Sequence, residues 1–238
     1  MLFVNMFMLC GEIKERGCGC VYYVIEGQDS TGKTTQANMM ADYLRSLGRE
    51  VEIVEEPGGN LLIAKEIRRL LLDKRYNLKP ETNVLLFTAA RSELWDKVIK
   101  PILDRGGDVI STRNWWSTVA YQGFGQGIDL GLIGQIISAM MPEEYIKPEK
   151  SIIFFLPEEE RLRRQKARDY ASEQDTYESQ PSEFQQRVND GYIKIAELYG
   201  VPIYDASGPL EKVKEDLWKH FGILQTTTTS REEETCQL

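Results

Sequence analysis

The chain has 238 residues, of which 28% are charged and 42% hydrophobic, and its formal net charge is −8. Such a composition supports one sizeable globular core; it excludes a broadly basic nucleic-acid binder, and no apolar run reaches the ~18 residues that a membrane-crossing helix needs. The four cysteines, Cys10, Cys18, Cys20 and Cys236, lie near the ends of the chain. This placement staples no core and fits a reducing cytoplasm. Cys18-Gly19-Cys20 has no downstream partners at zinc-ligand spacing.

In chain order, the run from Met1 to Cys10 is apolar, but no basic segment precedes it and no small-residue cleavage site follows. Residues 1–20 therefore read as a flexible extension, or as the product of an upstream start codon, and not as an export signal. "VYYVIEG" predicts a strand. "GKTTQANMMADYLRSLG" predicts a helix with Met39, Met40, Tyr43, Leu44 and Leu47 near helical spacing and Gly48 as its stop. "EVEIVEEPGG" predicts a second strand ending in a Pro-Gly-Gly break, and "NLLIAKEIRRLLLD" a helix. "KPETNVLLFTAARSELWDKVIKPILDRGG" predicts a long helical region that kinks or splits at Pro101. "DVIST" predicts a strand that runs into a glycine-rich loop, "DLGLIGQIISAMM" a helix, and "KSIIFFLP" a buried strand. Two helices flanking a polar link follow, "EEERLRRQKARDYAS" and "PSEFQQRVNDGYIKIAELYG". "VPIYDAS" is the last strand and "PLEKVKEDLWKHFGIL" the last helix. Strands alternating with helices predict an α/β fold, a parallel sheet of about five strands with helices on both faces, as one domain over residues 21–224. Residues 225–238 read as a disordered polar tail.

Gly27-Gln28-Asp29-Ser30-Thr31-Gly32-Lys33-Thr34 fits the pattern G-x-x-x-x-G-K-[ST] between a strand and a helix. Its glycines allow backbone N–H groups to turn inward around a phosphate, and the helix N-terminus adds partial positive charge. Lys33 is placed to reach the β- and γ-phosphates, and the Thr34 hydroxyl to ligate Mg²⁺. Thr35 continues the same segment. The reading is an ATP or GTP site, and a motor, a switch or a kinase would all use one.

Three further segments bear on the second ligand. Glu56-Pro57-Gly58-Gly59 ends the second strand. Phe87 and Arg91 stand at i and i+4 on one helix face, where they could stack on a base and bond its edge, or could be a core phenylalanine beside a solvated arginine. Arg113, Thr118, Tyr121, Gln122 and Gly123 follow the third strand. Trp115 and Trp116 read as packing for this segment, Trp95 and Trp218 as core or interface residues. His220, the only histidine, has no catalytic role.

The ordered series IEGQDSTGKTTQ, EEPGG, LLFTAAR, STRNWWSTVAYQG, an Arg-rich helix, Asp175-Thr176-Tyr177-Glu178 and EFQQRVNDGYIKIAELYG resembles the thymidylate kinase family over roughly residues 21–224. The resemblance implies a P-loop NTPase fold, transfer of the ATP γ-phosphate to dTMP with Mg²⁺ to give dTDP, and a homodimer built on helices. From charge and hydropathy, no nucleic-acid or membrane partner is expected. Phe87 matches the family position that stacks on thymine and Arg91 the one that bonds the base edge. Arg113 matches the holder of the dTMP phosphate. Thr118 and Tyr121, with Gln122 beside them, match positions around base and sugar, where the tyrosine helps reject a ribose 2′-hydroxyl. Asp29 matches an acidic loop residue near the sugar 3′-hydroxyl, Glu56 and Pro57 fall on the substrate side, and Ser207-Gly208 falls where the family cradles adenine. Ser30 and Thr31 stand where some members carry a basic residue. The lid region, about residues 158–180, instead offers Arg161, Arg163, Arg164, Lys166 and Arg168, of which Arg164 and Arg168 are expected over the phosphates as catalytic cations.

Three positions depart from the family pattern. Thr112 replaces an acidic residue before Arg113, Glu55 replaces an arginine before Glu56-Pro57, and Thr176 replaces an arginine after Asp175. Each removes or reverses a charge near a polyanion site. A weakened or inactive nucleotide-binding homologue, or a kinase for another nucleotide or deoxynucleoside, is the alternative. A deoxynucleoside kinase commonly has Glu-Arg where this chain has Thr112-Arg113.

Overall fold

Along the first strand, β1 (Tyr22–Gly27), Tyr22 and Val24 enter one hydrophobic core while Tyr23 and Ile25 enter another. Side chains alternate across a strand, so a strand buried on both faces needs apolar residues at every position. A computed structural model of the chain describes residues 19–73, 75–169, 176–177 and 179–224. The expected N-terminal extension up to residue 18, the polar tail at 225–238 and most of the polar link within the lid region lie outside the described residues.

From β1 the chain runs through α1 (Lys33–Ser46), β2 (Val51–Val54), α2 (Leu62–Leu72) and α3 (Pro80–Leu94), then a π-helical turn (Trp95–Ile99) and α4 (Lys100–Asp104). Next come β3 (Asp108–Ser111), α5 (Trp116–Thr118), a second π-helical turn (Val119–Gly125), α6 (Leu130–Met140) and α7 (Glu143–Ile146). The remainder is β4 (Lys150–Phe155), α8 (Glu158–Asp169), α9 (Ser182–Tyr199), β5 (Ile203–Asp205) and α10 (Leu210–Phe221). The five strands form one parallel sheet in the order β2-β3-β1-β4-β5, with Tyr22 paired to Val109 and Val24 to Ser151. On one face α1 and α10 pack Met40, Leu44, Leu217 and Phe221 against Tyr23 and Ile25. On the other, α3, α6 and α9 cover Tyr22, Val24 and Val109. Because β1 lies between β3 and β4, the chain reverses direction across the sheet beside β1, and a crevice opens at the carboxyl ends of these strands.

Several elements differ from the sequence expectation for physical reasons. In α1 the buried stripe is Gln36, Ala37, Met40, Ala41 and Leu44, whereas Leu47 lies beyond the helix end and is 43% exposed. Pro101 does not break its helix. The Lys100 N–H bonds back to the Trp95 carbonyl, and Leu94, Trp95, Ile99 and Lys100 all keep right-handed helical dihedrals. The wider π turn absorbs the donor that proline lacks. The segment expected as a glycine-rich loop is helical from Trp116 to Gly125. Its glycines serve close packing: a Cβ at Gly123 would sit 2.5 Å from Leu130 Cδ2, and one at Gly125 2.7 Å from the Phe184 ring. Trp115 and Trp116 are both buried, and Trp115 Nε1 donates to the Ile146 carbonyl at 3.0 Å. Trp95 is also core, Trp218 stacks on Tyr43, and His220 lies on the surface beside the Ser151 carbonyl. Among the described residues no helix is long and apolar enough to cross a membrane.

Candidate active site

The loop joining β1 to α1 is built on backbone geometry. Gly27 has φ 135°, and a Cβ there would lie 2.2 Å from the Phe154 carbonyl oxygen, so the close approach of β4 demands glycine. Gly32, at φ 92°, opens α1 without any side-chain cap, and no acidic residue occupies the first turn. The first-turn N–H groups and the positive end of the helix dipole are thus left to a ligand. Ser30 holds φ 68°, a left-handed conformation that costs a non-glycine residue of order 1–3 kcal/mol and is typical of ligand clamps. Lys33 Nζ donates to the carbonyls of Gly27 at 2.9 Å and Gln28 at 2.7 Å. Burial brings its pKa down to about 7, with Arg113 adding to the effect while Asp29, Glu26 and Glu55 oppose it. Thr31 braces the loop through the Gln28 carbonyl, and Gln28 itself turns away to donate to Gln185 on α9.

This loop forms one wall of a cavity of about 570 Å³, lined by Asp29 to Thr35. Phe87, Arg91, Arg113, Thr118, Tyr121 and Gln122 face the same cavity, as does Pro57. Residues from the segment after β2, from α3 and from the segment after β3, far apart in sequence, therefore meet the phosphate loop in one space. Arg113 reaches back to β1: its Nη2 pairs with Asp29, and its Nη1 donates to the Gly27 carbonyl at 3.2 Å and to Ser117 Oγ at 3.2 Å. Tyr121 stands under the Arg113 guanidinium and donates its hydroxyl to Asp29 at 3.1 Å. Arg91 is neither solvated nor a bystander. It is 1% exposed, its Nε donates to Glu56 at 3.1 Å and its Nη1 to Thr118 Oγ1 at 2.8 Å, and it lies over the Phe87 ring. Glu56 is not on the cavity wall; it anchors Arg91 from behind, and Tyr22, Ser111 and Tyr145 also donate to it. Burial pushes the Glu56 carboxyl up, and Arg91, Tyr145 and Ser111 pull it back.

Four contributors to this arrangement have roles that the sequence did not assign. Tyr177 lines the cavity, with its ring 5.9 Å from Phe87 and 5.7 Å from Tyr121, and its hydroxyl accepts from Gln122. Glu26, fully buried, accepts from the backbone of Gly27, Asn114 and Ser117, and from the Ser117 and Tyr192 hydroxyls. It ties the end of β1 to the segment after β3. Ser117 and Tyr192 complete that knot. A charged residue closing an apolar strand was a visible signal for Glu26; Tyr192 occupied a core-like helix position and gave none.

The lid cations separate. Arg164 lines the cavity, but it is held by Glu160 and by the Ala206 carbonyl at 3.0 Å, close to Gly208, Leu210 and Val213 at the β5 side. Arg161 is buried against Glu158 and Gln165, and Arg163 pairs with Glu160 at the surface. Lys166 is exposed, and the Arg168 side chain lies outside the described residues, as does Asp175. Thr176 donates to the Leu72 carbonyl at the end of α2.

A five-stranded parallel sheet with a glycine-bounded phosphate loop between β1 and α1 is the P-loop NTPase fold. Within that class, the family model described as thymidylate kinase matches residues 25–217. A thymidylate kinase of Carboxydothermus hydrogenoformans is 37% identical over 204 residues, covering 86% of this chain and 96% of that protein. One from Chlorobium luteolum is 39% identical, covering 72% of this chain and 82% of its own. The crystal structure of thymidylate kinase from Ehrlichia chaffeensis superposes with a TM-score of 0.67 at 30% identity, over 86% of this chain and 99% of that one. The chain belongs to the thymidylate kinase family.

Proposed function

We propose that this protein is a dTMP kinase, a phosphotransferase that moves the γ-phosphoryl group of ATP to dTMP and yields dTDP and ADP. The observation that carries the reading is the single cavity shared by the phosphate loop and the Phe87–Arg91–Tyr121 cluster. A dTMP phosphate oxygen attacks the γ-phosphorus, the bond from that phosphorus to the β–γ bridging oxygen breaks, and ADP leaves with those electrons. Catalysis of such a step is mainly positioning and charge stabilisation.

In this reading Lys33 exchanges its loop carbonyls for the β- and γ-phosphates, and the N–H groups from Asp29 to Thr35 wrap the polyphosphate. Arg113 leaves part of its Asp29 pairing to hold the acceptor phosphate. Phe87 stacks on thymine, while Arg91, aimed by Glu56, and Thr118 and Gln122 meet its edge. Tyr121, fixed to Asp29, closes the space that a 2′-hydroxyl would need. Arg164 shares the cavity wall with the phosphate loop and bonds the Ala206 carbonyl near Gly208, where it would flank the adenine. The donor set fits Mg²⁺, which accepts few protein ligands beside phosphate oxygens and water: Thr34, exposed and on the cavity wall, would offer its hydroxyl. When bound, the ion would neutralise charge on the transferred group.

A homodimer belongs to the same reading. Leu85 on α3 and Leu132 and Met140 on α6 are exposed, and these two helices pack together. A cytoplasmic location completes it. The direct test is chromatographic detection of dTDP from ATP and dTMP, with Lys33→Ala as the control. Formation of dTDP by the parent and its loss in the variant support the reading; equal dTDP from both would sink the loop assignment. Thr112, neutral at the cavity wall, favours one second reading: a homologue that binds nucleotide without turning it over. Tight dTMP binding with no dTDP would select it.

A further inference from the structure

Among the described residues lining the cavity, Asp29 and Glu55 carry carboxylates. Asp29 is engaged by Arg113 and by the Tyr121 hydroxyl. Glu26 lies deeper, fully buried, with both oxygens accepting hydrogen bonds that tie strand ends together. Glu55 differs from both. Its side chain is 65% exposed, and its ion pair with Arg68 on α2 is loose, at 3.6 Å.

The sheet register fixes what stands beside Glu55. Val54 pairs with Ser111, and the Thr112 N–H donates to the Val54 carbonyl at 3.0 Å. Glu55 and Thr112 therefore leave neighbouring parallel strands side by side, and both face the cavity. Glu55 also reaches the phosphate loop electrostatically, since its charge favours the Lys33 ammonium. A carboxylate facing a polyphosphate site repels its ligand unless a cation stands between them, and a divalent ion inverts that sign. Mg²⁺ takes one or two carboxylates with phosphate oxygens and water. Thr112, at the adjacent strand end, offers a neutral hydroxyl in place of a carboxylate.

We propose that Glu55 is the carboxylate that orients the Mg²⁺ ion and its water in this chain, from the strand end next to Thr112. The proposal rests on the dTMP kinase reading. Arg68 balances the Glu55 charge in the metal-free protein.

The test uses Mn²⁺ as the probe, titrated into the full chain saturated with ADP and followed by the paramagnetic signal of free Mn²⁺. Glu55→Gln is expected to weaken Mn²⁺ about tenfold or more, with ADP affinity in the absence of metal unchanged or tighter. Adding Thr112→Asp to Glu55→Gln returns a carboxylate to the neighbouring strand end and restores Mn²⁺ affinity. Unchanged Mn²⁺ affinity in Glu55→Gln overturns the inference. So does an effect confined to the KM for dTMP, which would assign Glu55 to Arg68 alone. If the unaltered protein fails to bind ADP, the kinase reading falls, and this inference with it; normal ADP binding with an unaltered Mn²⁺ affinity in the variant removes only the role of Glu55.

Discussion

The Arg91 guanidinium on α3 and the Glu56 carboxylate at the end of β2 form a buried pair at 3.1 Å, with side chains 1% and 0% exposed. Neither charge has water to fall back on, so the pair is worth most when it is broken. Glu56→Gln leaves the buried guanidinium without a charged partner and replaces one of the two acceptor oxygens, which serve Tyr22 and Ser111 on one side and Arg91 and Tyr145 on the other, with an NH2 donor. We expect a loss of about 3 kcal/mol in folding stability, read as a shift in the urea midpoint at constant slope. A midpoint within experimental error of the parent would show that the pair contributes little.

The Phe87 ring packs near both the Arg91 guanidinium and the Tyr177 ring. Truncating an aromatic that stacks on a base costs about 1–3 kcal/mol. Phe87→Ala is expected to raise the KM for dTMP about tenfold or more, on the scale of about 1.4 kcal/mol per decade, and to leave the KM for ATP nearly unchanged. Parallel increases in both constants would mean that the residue supports the cavity as a whole.

Tyr121 gives a different readout, a ratio. Its hydroxyl is fixed by Asp29 and its ring by the Arg113 guanidinium. Tyr121→Ala is expected to lower the preference for dTMP over its ribonucleotide counterpart, measured as the ratio of the two kcat/KM values. An unchanged ratio removes Tyr121 from the sugar pocket.

Lys33 links the site to pH. Burial, reinforced by Arg113, lowers its amine to about 7 in the ligand-free protein, against ~10.4 for an exposed lysine. Between these values the unfolded chain binds more protons than the folded one, so this residue makes ligand-free stability rise with pH across that window. Bound phosphates favour the ammonium. ADP binding at pH 8 is therefore expected to take up close to one proton, falling toward zero at pH 6, when calorimetry is repeated in buffers of different ionisation heat. Lys33→Met should abolish the uptake, and uptake that persists in this variant would assign the proton elsewhere.

What the sequence made legible was what is encoded locally. The loop from Gly27 to Thr34 is a contiguous pattern between a strand and a helix, and Phe87 and Arg91 lie one helical turn apart. The alternation of apolar runs was enough for a parallel sheet with helices on both faces. The Arg91–Glu56 pair spans 35 positions, and no local spacing distinguishes a buried arginine from a solvated one. Tyr177 reaches Phe87 and Tyr121 only once α9 is packed against the turn after α5. Gly123 and Gly125 look like loop residues in sequence because the packing of Leu130 and Phe184 on them is long-range information. Charge was similarly ambiguous. Arg164 was expected over the phosphates from its spacing to Arg168, whereas its bond to the Ala206 carbonyl, 42 positions away, is long-range information that no local spacing carries.

The central claim concerns the acceptor, and one assay reaches it most directly. Purified protein with ATP and Mg²⁺ is offered a panel of nucleoside monophosphates, and ADP release is measured for each. The cavity geometry predicts the highest kcat/KM for dTMP. Faster release with a purine or a ribonucleoside monophosphate, or no release with any of them, would contradict it.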